Sequence, residues 1–315
     1  MESKYKFDFR KTIKTLRVFA AFGLFFIAAP LFAYAQSATP TPDPRNMINE
    51  RNATSRRFET LKNAGKTGNR RRGAASGLQA INGIYRKPNR TETKILQPEK
   101  EDLAKYEVFL RQKNTGLTRL FPNAGCSDHS TVVNATEECL KFSMPGAGAS
   151  FSFRTENYRI WRLADLTYAN QRFHSLGVLL HGIIVNIGDV ALEDVSMTTD
   201  GVKFIAEFEP QTEFEEARRV DIEMIQGIEA DGFYYARSAA VKENTTFVLR
   251  SIAYRGVLYR SYQGFVYDEM DFDKREDVLI AFRVVRRDDE SVSILWKELL
   301  RKDSPKMKLP QQDNR

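Results

Sequence analysis

The second half of the chain, from residue 149 onward, alternates apolar and polar residues with a period of two, and this pattern constrains the fold most. It is clear over residues 202–208, 280–284 and 292–296, which we predict to be strands. Successive side chains of a strand point to opposite faces of a sheet, so such segments bury one face. Residues 288–290, with the sequence DDE, predict a hairpin turn and hence an antiparallel pair.

Five further segments have the composition of strands, and they follow one another without a helix between each pair. They are residues 150–154, 163–168, 178–186, 246–254 and 257–267. A doubly wound parallel sheet would alternate helices with strands, so the pattern argues against it. The sequence therefore predicts an α+β fold that consists mainly of antiparallel β-sheet or a β-sandwich.

Two segments have the signals of helices. Residues 98–113 begin with a proline followed by carboxylates and carry apolar residues at helical spacing, as a helix with one buried face requires. Residues 213–226 have the same spacing and follow Thr212, which forms a capping-box pattern with Glu215. We therefore predict one helix over each segment.

Residues 1–35 have the parts of a secretory signal peptide. Six basic residues and two acidic ones precede a 15-residue apolar run from Val18 to Phe32, and Ala33-Tyr34-Ala35 follows as a small-x-small cleavage site. A membrane-spanning helix needs about 20 residues, which disfavours the alternative of an uncleaved anchor. We predict cleavage before Gln36, export by the general secretory route to the periplasm, cell surface or medium, and no membrane span after cleavage.

Residues 36–97 have the composition of a disordered basic tether. Residues 36–100 carry 14 lysines and arginines against five acidic residues, whereas residues 101–315 carry 28 against 34. Few large apolar residues recur at a regular spacing, so burial would not offset the chain entropy lost on ordering. We predict that this tether binds an anionic cell-envelope polymer, with a solubilising spacer as the alternative. After the tether we predict a globular domain over residues 98–303 and then a flexible tail over residues 304–315.

The two cysteines of the chain, Cys126 and Cys139, both lie in the predicted mature part. A close pair in an exported protein usually forms a disulfide, because the compartment is oxidising. Their spacing also differs from the CxxC of redox enzymes. We therefore predict one disulfide, with Cα atoms closer than about 7 Å.

The sequence contains none of the common motifs for catalysis or cofactor binding. It has no GxSxG, no P-loop and no HExxH, and we predict no cofactor and no metal site. Of the three histidines, we interpret His129 as a surface-loop residue and His181 as a hydrogen-bonded core residue. His174 and His181 are seven positions apart, which would place them on opposite faces of one continuous strand, so we do not expect them to bind the same metal ion. The acidic stretch of residues 268–277 lacks the glycine of a calcium-binding loop and is interrupted by Lys274 and Arg275, so we predict a solvated, partly self-neutralised loop between strands there.

One stretch combines tyrosine and arginine in a way that is typical of ligand binding. Its candidate ligand-binding residues are Arg250, Tyr254, Tyr259, Arg260 and Tyr262. Tyrosine rings can stack on sugars, and arginine pairs with anionic groups. Strands also use both residue types for packing and for their solvent side, which is the competing interpretation.

These patterns lead to two hypotheses for function. The first is an exported, non-catalytic binding or structural module of the cell envelope or the extracellular space. The second is an exported hydrolase that acts on an envelope polymer through carboxylates distant in sequence, which would require two of them to face one cleft. A nucleic-acid partner is not expected for an exported protein.

Overall fold

The computed structural model describes residues 70–129 and 136–308, which form an α+β fold with mainly antiparallel sheets, as the sequence predicts. The strands are β1 (Thr115–Leu120), β2 (Ser150–Ser152), β3 (Asn157–Tyr158), β4 (Leu166–Ala169), β5 (Arg172–His174), β6 (Leu180–Gly188), β7 (Ile228–Ala230), β8 (Phe233–Ala236), β9 (Ser238–Ala240), β10 (Thr246–Ala253), β11 (Tyr259–Tyr262), β12 (Phe265–Asp268), β13 (Glu276–Arg287) and β14 (Val292–Asp303). The α-helices of the described residues are α1 (Arg70–Ile84), α2 (Arg90–Leu96), α3 (Lys100–Lys105), α4 (Glu107–Leu110), α5 (Glu137–Phe142), α6 (Val202–Ala206) and α7 (Phe214–Gln226).

Two sheets share the main apolar core. A seven-stranded sheet has the order β1-β14-β13-β10-β6-β8-β7, and a five-stranded sheet has the order β3-β2-β4-β5-β9. Aromatic side chains meet between the sheets: the ring centroids of Phe153 and Trp296 are 5.4 Å apart, and those of Phe173 and Phe282 are 5.2 Å apart. The long β13–β14 hairpin supplies two of these rings from opposite strands, because Phe282 pairs with Trp296. The predicted antiparallel pair is therefore confirmed.

Helices cover the other face of the seven-stranded sheet. Strand β10 is buried on both faces, so Phe247 and Leu249 face the five-stranded sheet while Val248 faces the helices. Val202 and Ile205 of α6 pack in the same cluster as Val248, together with residues of α7. The middle strands thus form the central layer of the fold.

The segment 202–208 forms a helix over its first five residues, so its prediction as a strand is wrong. Val202 and Ile205 are both fully buried, and their spacing of three matches one face of a helix. Gly201 enters the helix with a φ of 80°, a conformation that favours glycine. The apolar residues of this segment fit both periods, and packing against the sheet selects the helical one.

The two predicted helices differ in outcome. Residues 214–226 form α7 as predicted, but the capping box is absent, because Glu213 occupies the N-cap position without a side-chain hydrogen bond. Instead, the amide of Phe214 donates to the carbonyl oxygen of Lys308 at 3.2 Å. The predicted single helix over 98–113 is two short helices, α3 and α4, which are interrupted at Tyr106, where ψ is 14°.

The segment 257–267 is also not one strand. It forms β11 and the beginning of β12, which pair as an antiparallel hairpin outside both large sheets. Gln263 and Gly264 connect them with φ values of 48° and 83°, as a two-residue type I′ turn requires.

The packed part of the chain begins before the predicted boundary at residue 98. Ile81, Ile84 and Tyr85 are buried in a cluster with the β11–β12 hairpin, and Leu96 is buried in the main core. At the other end, Met307 is 6% exposed, so residues 304–308 belong to the fold. The predicted signal peptide, the remainder of the tether and the last seven residues lie outside the described residues. Of the helices that are described, none is long and apolar enough to cross a membrane.

Candidate functional site

Two of the predicted ligand-binding residues, Arg250 and Tyr254, are completely buried. The guanidinium group of Arg250 donates to both carboxylate oxygens of Asp277 at 3.0 and 2.8 Å and to carbonyl oxygens at the end of α6. The hydroxyl group of Tyr254 lies 3.1 Å from Nδ1 of His181. Both side chains therefore act inside the fold.

The other three predicted ligand-binding residues lie on β11 and are half-buried. Arg260 and Tyr262 share one face of the hairpin, and Tyr262 packs in the cluster around α1. Tyr259 lies on the opposite face, because neighbouring residues of a strand alternate. Since β10 and β11 belong to different sheets, the structure does not bring the five residues together on one exposed face.

The acidic stretch is partly self-neutralised as predicted, through the pairs Arg275–Asp273 and Lys274–Glu276, but three of its carboxylates are buried, so it is not a solvated loop throughout. The side chains of Glu269, Asp273 and Asp277 are at most 1% exposed. Each of them binds an arginine from a distant part of the chain, in the pairs Arg162–Glu269, Arg154–Asp273 and Arg250–Asp277. These carboxylates balance buried guanidinium charges, which would otherwise be very costly to desolvate.

Chemically active side chains converge near the surface around Trp161. We define the Trp161 site by five residues: Asp128, His129, Trp161, Arg162 and Glu269. Trp161 is 39% exposed as a residue, and the guanidinium group of Arg162 lies 5.7 Å from the centroid of its indole ring. The site thus combines an accessible aromatic ring with fixed charges beside it.

The backbone at Trp161 is held by Asp128, which lies 33 residues earlier in the chain. Oδ2 of Asp128 accepts a hydrogen bond from the Trp161 amide at 3.3 Å, and the Asp128 carbonyl oxygen accepts one from the amide of Gly146 at 2.9 Å. Gly146 has a φ of 69°, and a Cβ atom there would lie 2.5 Å from the carbonyl oxygen of Arg159. Only glycine fits this approach without displacing the backbone.

The other end of the site is fixed by a network that leads into the interior. Arg162 donates to both oxygens of Glu269, with a shortest distance of 2.8 Å, and Glu269 also accepts from the hydroxyl group of Tyr85 at 3.1 Å. Burial raises the pKa of Tyr85 well above its usual value, and the charge of Glu269 acts in the same direction. Leu163 is fully buried and anchors the turn that presents Trp161.

Asp128 has a pKa above its ordinary value, chiefly because it is partly desolvated. The charge of His129, the hydrogen bond from Trp161 and the charge of Arg162 act in the opposite direction. Chemically, the arrangement suits stacking of a flat, partly apolar ligand on the indole ring, with hydrogen bonds to a neighbouring carboxylate. Sugars have both properties.

The predicted disulfide is confirmed and lies beside this site. Cys126 and Cys139 are bonded, and their Cα atoms are 5.0 Å apart. Cys139 is on α5 and is 6% exposed, whereas Cys126 is half-buried, two residues before Asp128. The bond therefore joins the segment that carries Asp128 to α5 at its buried residue Cys139.

The histidines separate into different environments. His181 is buried on β6, and burial lowers its pKa to about 4, so the interpretation as a hydrogen-bonded core residue is confirmed. His174 lies on β5 in the other sheet, with Nε2 3.3 Å from the carbonyl oxygen of Ala169. In the described ranges, no group of three or more histidine, cysteine, aspartate or glutamate side chains could hold a metal ion.

The sequence analysis did not identify Trp161, Arg162 or Asp128 as candidate site residues. The adjacent Trp161 and Arg162 were the one local sequence signal for this site. The contact with Asp128 could not be predicted, because it forms only in the folded chain. Comparisons of the chain with protein-family models, with curated proteins and with solved structures find no match. The geometry of the Trp161 site is therefore the main indication of function.

Proposed function

We propose that the protein is an exported, non-catalytic module that binds a carbohydrate-containing polymer of the cell envelope through the Trp161 site. One observation carries this proposal: an exposed indole ring on a turn that is fixed from both sides. A buried Leu163 and the Asp128 hydrogen bond limit the motion of the turn. A preformed aromatic surface of this kind loses little conformational entropy when a ligand stacks on it.

Export is supported by the signal-peptide pattern together with the disulfide. Disulfides persist in oxidising compartments and are rare in the cytosol of most organisms. Edman sequencing of the protein purified from its native host is expected to start at Gln36. An intact Met1 in a membrane fraction would contradict export as a processed protein and favour an anchor.

The hydrolase hypothesis is weaker, although the raised pKa of Asp128 would suit a general acid. Glycoside hydrolysis usually needs a second carboxylate with access to the substrate. Glu269, the other carboxylate of the site, is 1% exposed, and Arg162 donates to both of its oxygens. A side chain held in this way is suited to support the site and not to attack a sugar.

Binding can be measured as retention of the purified mature protein, residues 36–315, on cell-envelope polysaccharide from the native host. Trp161→Ala is expected to weaken retention about tenfold or more, because stacking and hydrophobic burial are both lost. Tyr234→Ala is the matched control, since Tyr234 is a surface aromatic residue that is 52% exposed and lies far along the chain, on β8. Equal retention of the wild type and Trp161→Ala would contradict the proposal.

The same assay separates the contribution of the basic segment before residue 70. A variant that begins at Arg70 keeps the described helices and removes residues 36–69, about half of the predicted tether, with six of its 13 lysines and arginines. If the tether binds anionic polymer, its contribution to retention falls as salt rises, because exposed charges are screened beyond about 8 Å at physiological ionic strength.

The hydrolase hypothesis predicts a different result. Release of reducing ends from the polysaccharide, abolished by Asp128→Asn, would favour the hydrolase.

A further inference from the structure

The segment that carries Asp128 has little apolar anchoring. None of the side chains from Pro122 to His129 is buried in the core. Hydrogen bonds connect its backbone to the rest of the fold, such as the one from the Asn123 amide to the carbonyl oxygen of Tyr168 at 3.0 Å. Segments with few buried apolar contacts open locally at low free-energy cost.

The other end of the disulfide is well anchored. The amide of Cys139 donates to Oγ1 of Thr136 at the start of α5, and Phe142 of the same helix packs on the core ring of Phe121 at 4.8 Å. The disulfide therefore ties a weakly held segment to a short helix that is attached to the core through Cys139 and Phe142. It is the covalent restraint nearest to Asp128.

We propose that the Cys126–Cys139 disulfide is a redox-sensitive lock on the Trp161 site. In the oxidised protein it holds Asp128 against the amide of Trp161, and reduction releases this contact while the sheets stay folded. The inference that reduction also weakens ligand binding rests on the proposed function. The release of the Trp161 amide does not depend on it.

The reaction is a thiol–disulfide exchange with a dithiol reductant. A thiolate of the reductant attacks one sulfur, the Cys126–Cys139 bond breaks, and the second thiol of the reductant resolves the mixed disulfide. The protein gains two electrons and two protons and ends with two thiols. The reductant loses them and ends as a disulfide.

The lock is tested by hydrogen exchange at the amide of Trp161 in the full mature protein. Treatment with dithiothreitol is expected to accelerate this exchange roughly tenfold, because the amide loses its acceptor. In the oxidised protein, Asp128→Ala should produce the same acceleration. Asp288→Ala is the matched control: Asp288 also accepts backbone hydrogen bonds in a loop, but in the β13–β14 turn, so Trp161 exchange should not change.

Exchange in β13 reports the state of the fold in the same samples. Protected β13 amides with a faster Trp161 amide support a local lock. An unchanged Trp161 amide after complete reduction would overturn the inference, and so would loss of β13 protection, since the disulfide would then be a global staple. A Cys126→Ser/Cys139→Ser variant, which needs no reductant, must agree with the reduced protein.

The binding consequence is measured separately on the host polysaccharide. Retention of the reduced protein is expected to fall at least fivefold. If Trp161→Ala abolishes retention but reduction does not change it, the redox inference about binding fails and the proposed function survives. If Trp161→Ala has no effect, the proposed function fails while the exchange result still decides the lock.

Discussion

Many arginine side chains of this protein are committed to internal ion pairs. Arg154 is completely enclosed and bonds Asp165 and Asp273, while Arg250 bonds Asp277 in the same way. Removing one partner of such a pair leaves a buried charge unpaired, at a cost of about 3–5 kcal/mol. Arg250, which the sequence suggested as a ligand-binding residue, therefore has a structural role.

His181 makes the stability of the fold depend on pH. Its pKa in the folded protein is about 4, below the value near 6.5 of an exposed histidine, because burial disfavours the charged ring. The unfolded chain therefore binds a proton below about pH 6.5 that the folded protein does not bind until about pH 4. The contribution of His181 to stability is complete above pH 6.5 and is lost as the pH falls to about 4.

We expect His181→Gln to remove this dependence. Urea unfolding between pH 7 and pH 4 should show the wild type losing about 3 kcal/mol more of its unfolding free energy than the variant over this range. Glutamine keeps a donor and an acceptor near Tyr254, so the comparison isolates titration. Parallel losses in both proteins would show that other groups cause the acid sensitivity.

At the scale of elements, the strands of the long hairpin were predictable because apolar residues recur at every second position beside a clear turn, although both strands are buried on both faces over part of their length. Helices α1 and α2 were not, since their composition is polar and basic and, among the residues whose burial the structure describes, only a few such as Ile81 and Leu96 are buried. The spacing of apolar residues alone did not distinguish a strand from a helix over residues 202–208, where contacts with the sheet select a helix. The Trp161 site was also hidden from sequence, because Asp128, Trp161 and Glu269 meet only through the fold.

Helix α1 can be tested as a part of the folded unit. Ile81 is 1% exposed, and Ile81→Ala should lower the unfolding free energy by about 2–4 kcal/mol, because it removes buried methyl groups and leaves a cavity. Leu78→Ala is the control on the same helix, since Leu78 is 55% exposed, and should change stability by less than about 0.5 kcal/mol. Equal small effects in denaturant unfolding would show that α1 does not stabilise the fold.

At the scale of the whole molecule, restraints from distant parts of the chain meet at the Trp161 turn. The turn at Trp161 is fixed by Leu163 in the core, by Asp128 beside the disulfide and by the Arg162–Glu269 pair. These restraints come from distant parts of the chain, so the site requires the folded protein. The aromatic ring then remains accessible on a rigid support.

The most direct test of this account is acrylamide quenching of tryptophan fluorescence during titration with soluble fragments of the host envelope polysaccharide. The chain has two tryptophans, and Trp296 is 4% exposed, so quenching reports mainly on Trp161, which is 39% exposed. We predict that the fragments protect Trp161 from acrylamide in a saturable way and that Trp161→Ala removes the protectable signal. Fragments that bind the protein without changing the quenching would contradict the assignment of the binding site to Trp161.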